Sequence, residues 1–454
     1  MIHFRKLRSA IVVAGAATFT ACSGARAPRT IASEEVLPAG LALASFDTLW
    51  TIVQNTYVDT AFTSTRWLRV RDSLRPRAAT VTRRAELDKL LADALRGIPD
   101  SHFYIIPASV APEEADLSKG DGRGTTGLAV RVADNRVVAY RVESGSPAAL
   151  GGIRPGQAVI RIGAKDPQEM LERVRAMPAA ARPRAMSELL HRLNGTLTPR
   201  AGDTVRVEVE DGGRRTSRSM VAVPSKGRVS QFGNLPPIAG LVTWSRMPTN
   251  DGKCAGTIAF NIWLPALVSD LENAVDSVRN CEGVVVDLRG NPGGVGAMVM
   301  GFGGYFVDSV KSLGTMKMRQ LSLNFVINPQ RSRSDGSQMS PFTGPVAILV
   351  DPMSASTSEI FAAGMQRIGR VCVFGERSAG AALPSLANRL PSGDVFVHAV
   401  ADFTDPDGGR IEGAGVVPDV EVPLSPGILA MGKDGALDAA VRWIAKGEDA
   451  CSPP

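Results

Sequence analysis

The sequence predicts an α/β protein, a sandwich in which a mixed β-sheet carries helices on its faces. From about residue 226 onward, short apolar segments with strand character alternate with segments of helical periodicity. Such alternation is typical of a sheet covered by helices. The predicted strands and helices lie, in order, at 256–262, 265–279, 283–287, 294–305, 345–350, 371–375 and 395–401.

An N-terminal helical part is expected at residues 40–117. Segments with helical periodicity, such as 86–95, alternate along it and end at the pair Ser101–His102. The other end of the chain has an amphipathic pattern at 437–445, which predicts a closing helix.

The first 22 residues have the pattern of an export signal. Basic residues precede an apolar run at 10–19, and small residues then lead to Cys22. A cysteine at this place resembles the lipidation site of bacterial lipoproteins, which predicts a lipid-anchored protein on the periplasmic side of a bacterial membrane. Ordinary secretory cleavage or a short anchor is the alternative, although the run is too short for a membrane span of ~20 residues. Residues 23–39 are expected to form a polar tether.

Charge and composition exclude several classes of partner. The formal net charge is +6, but five basic residues lie before residue 30, where no acidic residue occurs, so the rest of the chain is close to neutral. A polyanion-binding surface is not implied, and nucleic acid is not an expected partner. The histidines and cysteines do not show metal-ligand spacing, and neither a metal nor a cofactor is expected.

The cysteines other than Cys22 leave room for disulfides in an exported protein. Cys254 and Cys281 each precede a predicted strand, so the two strands could be neighbours with both cysteines at one end. This arrangement suggests a Cys254–Cys281 disulfide, although a sequence alone does not establish connectivity.

A strand-to-helix turn is the first candidate for chemistry. The apolar run at 345–350 stops at Asp351, and a helical pattern begins at about Ser356. A serine there lies beside unsatisfied N–H groups at the positive end of a helix dipole, which favours developing negative charge. The alternative is an ordinary capping box, in which Ser356 and Glu359 only cap the helix.

A glycine-rich turn is the second candidate. It follows the strand predicted at 283–287 and ends in Gly293 and Gly294. Glycines let backbone amides approach a ligand or an oxyanion closely, so one of these N–H groups and that of Thr357 form a candidate oxyanion hole. The alternative is a tight turn after a core strand, which glycine residues alone do not exclude.

Three motifs, in this order, resemble the tail-specific (C-terminal processing) serine protease superfamily, which includes the tricorn protease core and the interphotoreceptor retinoid-binding proteins. They read Val-Asp-Leu-Arg-Gly-Asn-Pro-Gly-Gly at 286–294, Ser-Ala-Ser-Thr-Ser-Glu at 354–359 and Gly-Gly-Arg-Ile-Glu-Gly-Ala-Gly at 408–415. The resemblance covers about residues 40–445. It implies a ClpP/crotonase-like sandwich as the protease core at 226–454.

A PDZ-like domain is expected at residues 118–225. The segments Thr-Gly-Leu-Ala-Val-Arg-Val at 126–132, Val-Glu-Ser-Gly-Ser-Pro-Ala at 142–148 and Gly-Ile-Arg-Pro-Gly-Gln at 152–157 resemble the carboxylate-binding loop, spacer helix and following turn of PDZ domains. PDZ domains bind chain termini by β-augmentation, so a C-terminal peptide is an expected partner. An arginine-rich helical insertion at 167–193 departs from the PDZ pattern.

The best-known branch of the superfamily uses a Ser–Lys dyad, which this chain lacks. Ala381 stands where the lysine would be, and no lysine occurs from 318 to 432. The branch that resembles the tricorn core uses a Ser-His pair, a nucleophilic serine and a late glutamate. By that resemblance the catalytic set is the nucleophile Ser356, the general base His102, and Ser101 and Glu412 in support.

The resemblance therefore implies an extracytoplasmic serine endopeptidase that cleaves peptides or protein C-terminal regions through an acyl-enzyme, with a peptide or unfolded protein as substrate. Two alternatives stay open: a catalytically inactive peptide- or ligand-binding relative, and a scaffold that acts through the PDZ-like domain alone. Retention of the serines, the histidine and the glutamate favours the enzyme. The missing lysine is the best argument for an inactive relative.

Overall fold

The structure is a computed structural model that describes residues 35–113, 115–249, 252–446 and 451. The predicted signal sequence, Cys22 and residues 23–34 of the tether lie outside the described residues. Within the described ranges, no helix is both long enough and apolar enough to cross a membrane.

The N-terminal part consists of α1 (Leu41–Thr56), α2 (Thr60–Thr63), α3 (Arg66–Ala78), α4 (Arg84–Leu95) and β1 (Tyr104–Ile106). Two tryptophans join α1 to α3, since the indole N–H of Trp50 donates to Trp67 O at 3.1 Å and that of Trp67 donates to Trp50 O at 3.0 Å. The apolar core of these helices also includes Leu390 and Phe396 from late in the chain. The helices therefore pack as part of the main body.

The segment from 124 to 224 forms an inserted domain with an apolar core of its own. Its antiparallel sheet consists of five strands, the second to the sixth of the domain, which lie side by side in chain order. The insertion predicted at 167–193 is helical. Its assignment as a PDZ-like domain stays a prediction. The elements are β2 (Gly124–Thr125), β3 (Leu128–Ala133), β4 (Arg136–Val142), α5 (Pro147–Leu150), β5 (Ala158–Ile162), α6 (Pro167–Arg175), α7 (Arg182–Leu197), β6 (Thr204–Asp211), β7 (Arg214–Val221) and β8 (Val223–Pro224).

The remainder of the chain forms the sheets and helices of the main body. The strands are β9 (Arg228–Ser230), β10 (Ile238–Gly240), β11 (Val242–Pro248), β12 (Cys254–Phe260), β13 (Gly283–Asp287), β14 (Lys311–Lys317), β15 (Ser322–Ile327), β16 (Val346–Val350), β17 (Cys372–Gly375), β18 (Ser385–Arg389), β19 (Val395–Ala399), β20 (Asp402–Thr404) and β21 (Val420–Glu421). The helices are α8 (Val268–Val278), α9 (Met298–Gly303), α10 (Thr357–Arg367), α11 (Pro426–Ala430) and α12 (Gly435–Lys446).

A six-stranded mixed sheet is the centre of the main body, with the order β11-β12-β13-β16-β17-β21. Strand β11 is antiparallel to its neighbour and the other strands are parallel. The residues of these strands divide between two apolar clusters, one shared with α8, α9 and α10 and the other with α12. The predicted α/β sandwich is confirmed. Smaller sheets, β1-β19-β18 and β15-β14-β20, lie beside it.

Strands β13 and β16 place both candidate turns at one edge of this sheet. The two strands are adjacent and parallel, with Val284 opposite Val346 and Asp287 opposite Leu349. Ligand sites of parallel sheets form where the carboxyl ends of strands meet, and the glycine turn and the serine turn follow these two ends. The helix predicted at 294–305 begins later, at Met298, because Gly294 forms an isolated bridge with Trp263.

Two disulfides join described cysteines. Cys254 and Cys281 are bonded with a Cα–Cα distance of 4.8 Å, at the start of β12 and just before β13. Cys451 is bonded to Cys372, the first residue of β17.

Candidate active site

Ser356 lies at a strained turn between β16 and α10. The chain leaves β16 at Val350 and enters α10 at Thr357, and Ser356 has φ 56° and ψ −121°. A positive φ is uncommon for a residue with a side chain and persists only where other contacts hold it. The Ser356 N–H donates to Ala381 O at 2.7 Å and to the Glu359 carboxylate at 3.1 Å.

The Glu359 carboxylate organises the loop beside this turn. It is fully buried and accepts hydrogen bonds from Ser378 Oγ at 2.5 Å, Gly380 N–H at 2.7 Å and Ala381 N–H at 2.9 Å. Burial raises the pKa of Glu359 to about 7, although these hydrogen bonds favour the charged form. Glu359 thus does more than cap α10, because it holds the loop 378–381 against Ser356.

The glycine turn lies directly against Ser356. A Cβ added at Gly293 would come within 2.6 Å of Ser356 Cβ and 2.9 Å of Thr357 N, so a side chain does not fit there. The N–H of Gly293 already donates to Asn291 Oδ1 at 3.0 Å. Gly294 lies beside the first residue of α10, since its carbonyl accepts from Thr357 Oγ1 at 2.8 Å. Of the two glycines, Gly294 is therefore the better candidate for an oxyanion donor.

Ser101, His102 and Glu412 form a continuous hydrogen-bonded chain, which we call the relay. Ser101 Oγ lies 2.7 Å from His102 Nδ1 and donates to Glu412 Oε2 at 2.9 Å. The Ser101 N–H donates to Glu412 Oε1 at 2.7 Å. Burial raises the pKa of Glu412, and hydrogen bonds from Ser101 and Ala382 oppose this shift. The fold thus brings together side chains that lie 311 residues apart in sequence.

The direction of these hydrogen bonds fixes the tautomer of His102. The Ser101 hydroxyl has one proton, which goes to the Glu412 carboxylate, so the imidazole donates from Nδ1. Nε2 then carries a lone pair, as a general base requires. Burial, with a smaller effect of the Arg184 guanidinium, lowers the pKa of His102 to about 4. The ring is therefore neutral near neutral pH.

A short stretch of backbone connects the relay to the serine turn. The Ala382 N–H donates to Glu412 Oε2 at 2.8 Å, and the carbonyl of the preceding residue, Ala381, accepts from Ser356 N–H. Ser356 and His102, both within the described ranges, share no hydrogen bond, so their direct contact stays a prediction. Such contacts are often long before substrate binds and shorten in the reacting complex.

Sequence reasoning missed Asp351, which ties both turns to the inserted domain. Its carboxylate accepts from Gly290 N–H at 2.9 Å and from Met353 N–H at 3.0 Å. Arg131 of β3 donates to it at 2.6 Å, and both side chains are over nine-tenths buried. Burial alone would raise the pKa of Asp351, but the Arg131 guanidinium holds it below its usual value. The sequence signal that could have identified Asp351 is an acidic residue directly after a buried strand.

One cluster among the described residues has the residue types of a metal site, but its donor atoms already have other bonding partners. Donor atoms of Cys372, Asp419 and Cys451 lie within 4.8 Å of one another. The two cysteines form a disulfide, and the Asp419 carboxylate accepts from Gln366 Nε2 at 2.9 Å and Val373 N–H at 2.7 Å. We assign no metal to this group.

Comparison with protein families identifies the class of the molecule. Residues 256–422 match the model of peptidase family S41, and residues 43–96 match the model of the Tricorn protease C1 domain. Residues 256–422 are therefore assigned to peptidase family S41. The first match includes the serine turn, the glycine turn and Glu412. The second covers α2, α3, α4 and all of α1 except its first two residues.

Curated relatives of this S41 peptidase include carboxyl-terminal processing proteases. It is 23% identical over 345 residues to the carboxy-terminal processing protease CtpA of Bacillus subtilis (strain 168), a match that covers 74% of this chain and 65% of the relative. It is 23% identical over 398 residues to the carboxyl-terminal-processing protease of Picosynechococcus sp., with 86% of this chain and 85% of the relative covered.

Solved structures share the fold of this S41 peptidase. The photosystem II D1 C-terminal processing protease superposes with a TM-score of 0.57 at 19% identity, over 91% of this chain and 99% of that chain. Mature CPAF in complex with lactacystin superposes with a TM-score of 0.59 at 13% identity, over 91% and 99% of the two chains. These likenesses establish the fold.

Proposed function

We propose that this S41 peptidase is a serine endopeptidase that cleaves peptides or protein C-terminal regions through an acyl-enzyme. The observation that carries the proposal is the relay, which holds a neutral imidazole with a lone pair on Nε2 and is joined through Glu412 to the backbone next to Ser356. An oriented base near a serine at a strained helix start is the arrangement that nucleophilic catalysis requires. The names of the curated relatives support the substrate class.

The reaction begins when Ser356 Oγ attacks the carbonyl carbon of the scissile peptide bond. Nε2 of His102 takes the hydroxyl proton, and the relay stabilises the imidazolium that forms. Because these side chains share no hydrogen bond beforehand, substrate binding brings them together. The N–H groups of Thr357 and Gly294 donate to the oxyanion, where losing one donor typically costs ~100- to 1,000-fold in rate.

The tetrahedral intermediate then breaks its C–N bond, and His102 returns the proton to the leaving amine. A water molecule attacks the remaining ester with His102 again as base, which releases the acid product and restores the Ser356 hydroxyl. Ala381, at the position of the dyad lysine, cannot accept a proton, so the base in this scheme is the histidine.

Labelling with a fluorophosphonate probe tests the nucleophile. Wild type should be labelled, and Ser356→Ala should lose both labelling and peptide cleavage while it keeps the melting temperature, because only one oxygen atom is removed. Ser332→Ala, which changes an exposed serine of a surface loop, is the matched control and should behave as wild type. Labelling that persists in Ser356→Ala, or that maps to Ser354 or Ser358, contradicts the assignment.

A catalytically inactive peptide-binding relative is the second candidate, and the missing hydrogen bond between Ser356 and His102 favours it. The same labelling experiment separates the two candidates. A wild-type protein that binds peptides, resists the probe and shows no turnover would belong to this class.

A further inference from the structure

We propose that Tyr57, Asp100 and Arg410 form a clamp that positions the Ser101–His102 pair against Glu412. The inference rests on the proposed function, in which His102 is the general base. It assigns a supporting role to side chains outside the relay. The three residues come from distant parts of the chain: the end of α1, the turn before β1 and the loop that leads to Glu412.

Tyr57 holds the Ser101–His102 pair from both sides. Its hydroxyl donates to Asp100 Oδ2 at 2.8 Å, immediately before the pair. Its ring packs edge-on against Phe103, immediately after the pair, with centroids 5.0 Å apart and an interplanar angle of 81°. The side chain is completely buried, and burial together with the Asp100 carboxylate raises the pKa of its hydroxyl. Tyr57 therefore donates as a neutral phenol.

Arg410 joins the two segments of the relay. Its Nη2 lies 3.1 Å from each carboxylate oxygen of Asp100, and its Nε donates to Asp402 Oδ2 at 2.8 Å. Arg410 precedes Glu412 by two residues and Asp100 precedes Ser101 by one, so the ion pair runs beside the Ser101–Glu412 hydrogen bonds. The Asp100 side chain is only 15% exposed, and solvent screens the pair less than an ordinary surface ion pair.

The relay needs such support because His102 has φ 60°, a conformation that persists only where several contacts hold the backbone. The hydrogen bonds inside the relay tie Ser101 to Glu412 but leave the residues on either side of the pair free to shift. Tyr57 and Arg410 hold those residues. Misplacing a catalytic group by ~1 Å can cost roughly 100-fold in rate, so the clamp affects turnover without touching the reacting atoms.

Two conservative variants test the clamp. Tyr57→Phe removes the hydroxyl and keeps the ring against Phe103, and we expect kcat to fall roughly 10-fold while KM changes less than about 2-fold. Asp100→Asn keeps the shape and removes the charge, and kcat should fall roughly 100-fold. The double variant should be no slower than Asp100→Asn, because both changes remove the same support.

The matched control breaks an ion pair that does not touch the relay. Arg136 donates to Glu210 at 2.8 Å within the inserted domain, with side-chain exposures of 50% and 18% against 42% and 15% for the clamp pair. Arg136→Gln should therefore keep the kcat of wild type.

Nitrogen NMR of the His102 ring separates the clamp from the proposed function. We expect the wild-type ring to be neutral with its proton on Nδ1. Both variants should shift towards the tautomer mixture of a solvated imidazole at a temperature where all of these proteins are folded. An unchanged ring signal or an unchanged kcat in both variants overturns the clamp. If Ser356→Ala keeps its activity, the proposed nucleophile is wrong, and the ring signals still decide for or against the clamp.

Discussion

Two side chains of the candidate site, His102 and Glu359, have pKa values that burial shifts. Burial lowers the pKa of His102 to about 4, so the ring stays a base well below neutral pH. Burial raises the pKa of Glu359 to about 7, so this carboxyl gains a proton as the pH falls through neutrality. Both carboxylate oxygens of Glu359 accept hydrogen bonds, so protonation of either oxygen removes an acceptor. Protonation of Glu359 therefore loosens the loop 378–381.

We predict that kcat/KM for peptide cleavage falls in two steps as the pH decreases. A partial loss near pH 7 belongs to Glu359 and a complete loss near pH 4 to His102. From the sequence alone, the histidine step is expected near pH ~6.5, because that is the pKa of a solvated imidazole. Burial moves this step to lower pH. Glu359→Gln cannot titrate, so it should show only the lower step, at a reduced overall rate. One step near pH 6.5 in both proteins would contradict this assignment.

At the scale of elements, helix α7 covers the outer edge of strand β3 in the inserted domain. Asn194 of α7 accepts from Val130 N–H at 2.9 Å and donates to Val130 O at 3.1 Å. Its Nδ2 also donates to Leu190 O at 2.8 Å. A peptide that adds to β3 as a further strand needs these same backbone groups. The C-terminal peptide expected at a PDZ-like domain has to displace Asn194.

We predict that Asn194→Ala raises the affinity of the inserted domain for a peptide with a free C-terminal carboxylate by about 10-fold, because two hydrogen bonds no longer compete with the peptide. Fluorescence anisotropy with a labelled peptide measures the change. The same peptide with an amidated C-terminus is the ligand control, and Asn273→Ala, at an exposed position of α8, is the protein control. Equal binding by wild type and Asn194→Ala would show that β3 is not the docking strand.

At the scale of the whole molecule, the inserted domain touches both halves of the candidate site. Arg131 binds Asp351 beneath the serine turn, and Asn194 Nδ2 lies 3.6 Å from the sulfur of Met353 in that turn. Arg184 of α7 donates to Pro99 O at 3.2 Å, just before the relay. The position of the inserted domain and the geometry of the site are therefore linked, and displacing Asn194 also removes a contact with the serine turn.

At the scale of the whole molecule, lipid anchoring through Cys22 stays a prediction, since this residue lies outside the described residues. We predict that Cys22→Ser moves the protein from the membrane fraction to the soluble fraction, because one thiol is the proposed attachment point of the lipid. Immunoblots of separated fractions measure this, and Ser23→Ala at the next position is the control. A protein found in the same fraction with and without Cys22 would contradict lipid anchoring.

The sequence by itself determined the fold class, because the alternation of strands and helices is a local pattern. It suggested the candidate catalytic residues only through motifs that resemble those of the tail-specific protease superfamily. The strand predicted at 283–287 is β13, and the turn predicted before Ser356 leads into α10. Local patterns failed where a distant residue competes, as at Gly294, whose bridge to Trp263 delays the start of α9.

Only the tertiary structure decided which side chains form hydrogen bonds and ion pairs with those residues and their neighbours. The partners of Ser101, Asp351 and Tyr57 lie 311, 220 and 43 residues away in the chain. Neither helical nor strand periodicity carries information over such separations, because they describe the direction of a side chain relative to its own element. The relay, the buried Arg131 ion pair and the clamp exist because packing of the sheets and the inserted domain brings these segments together.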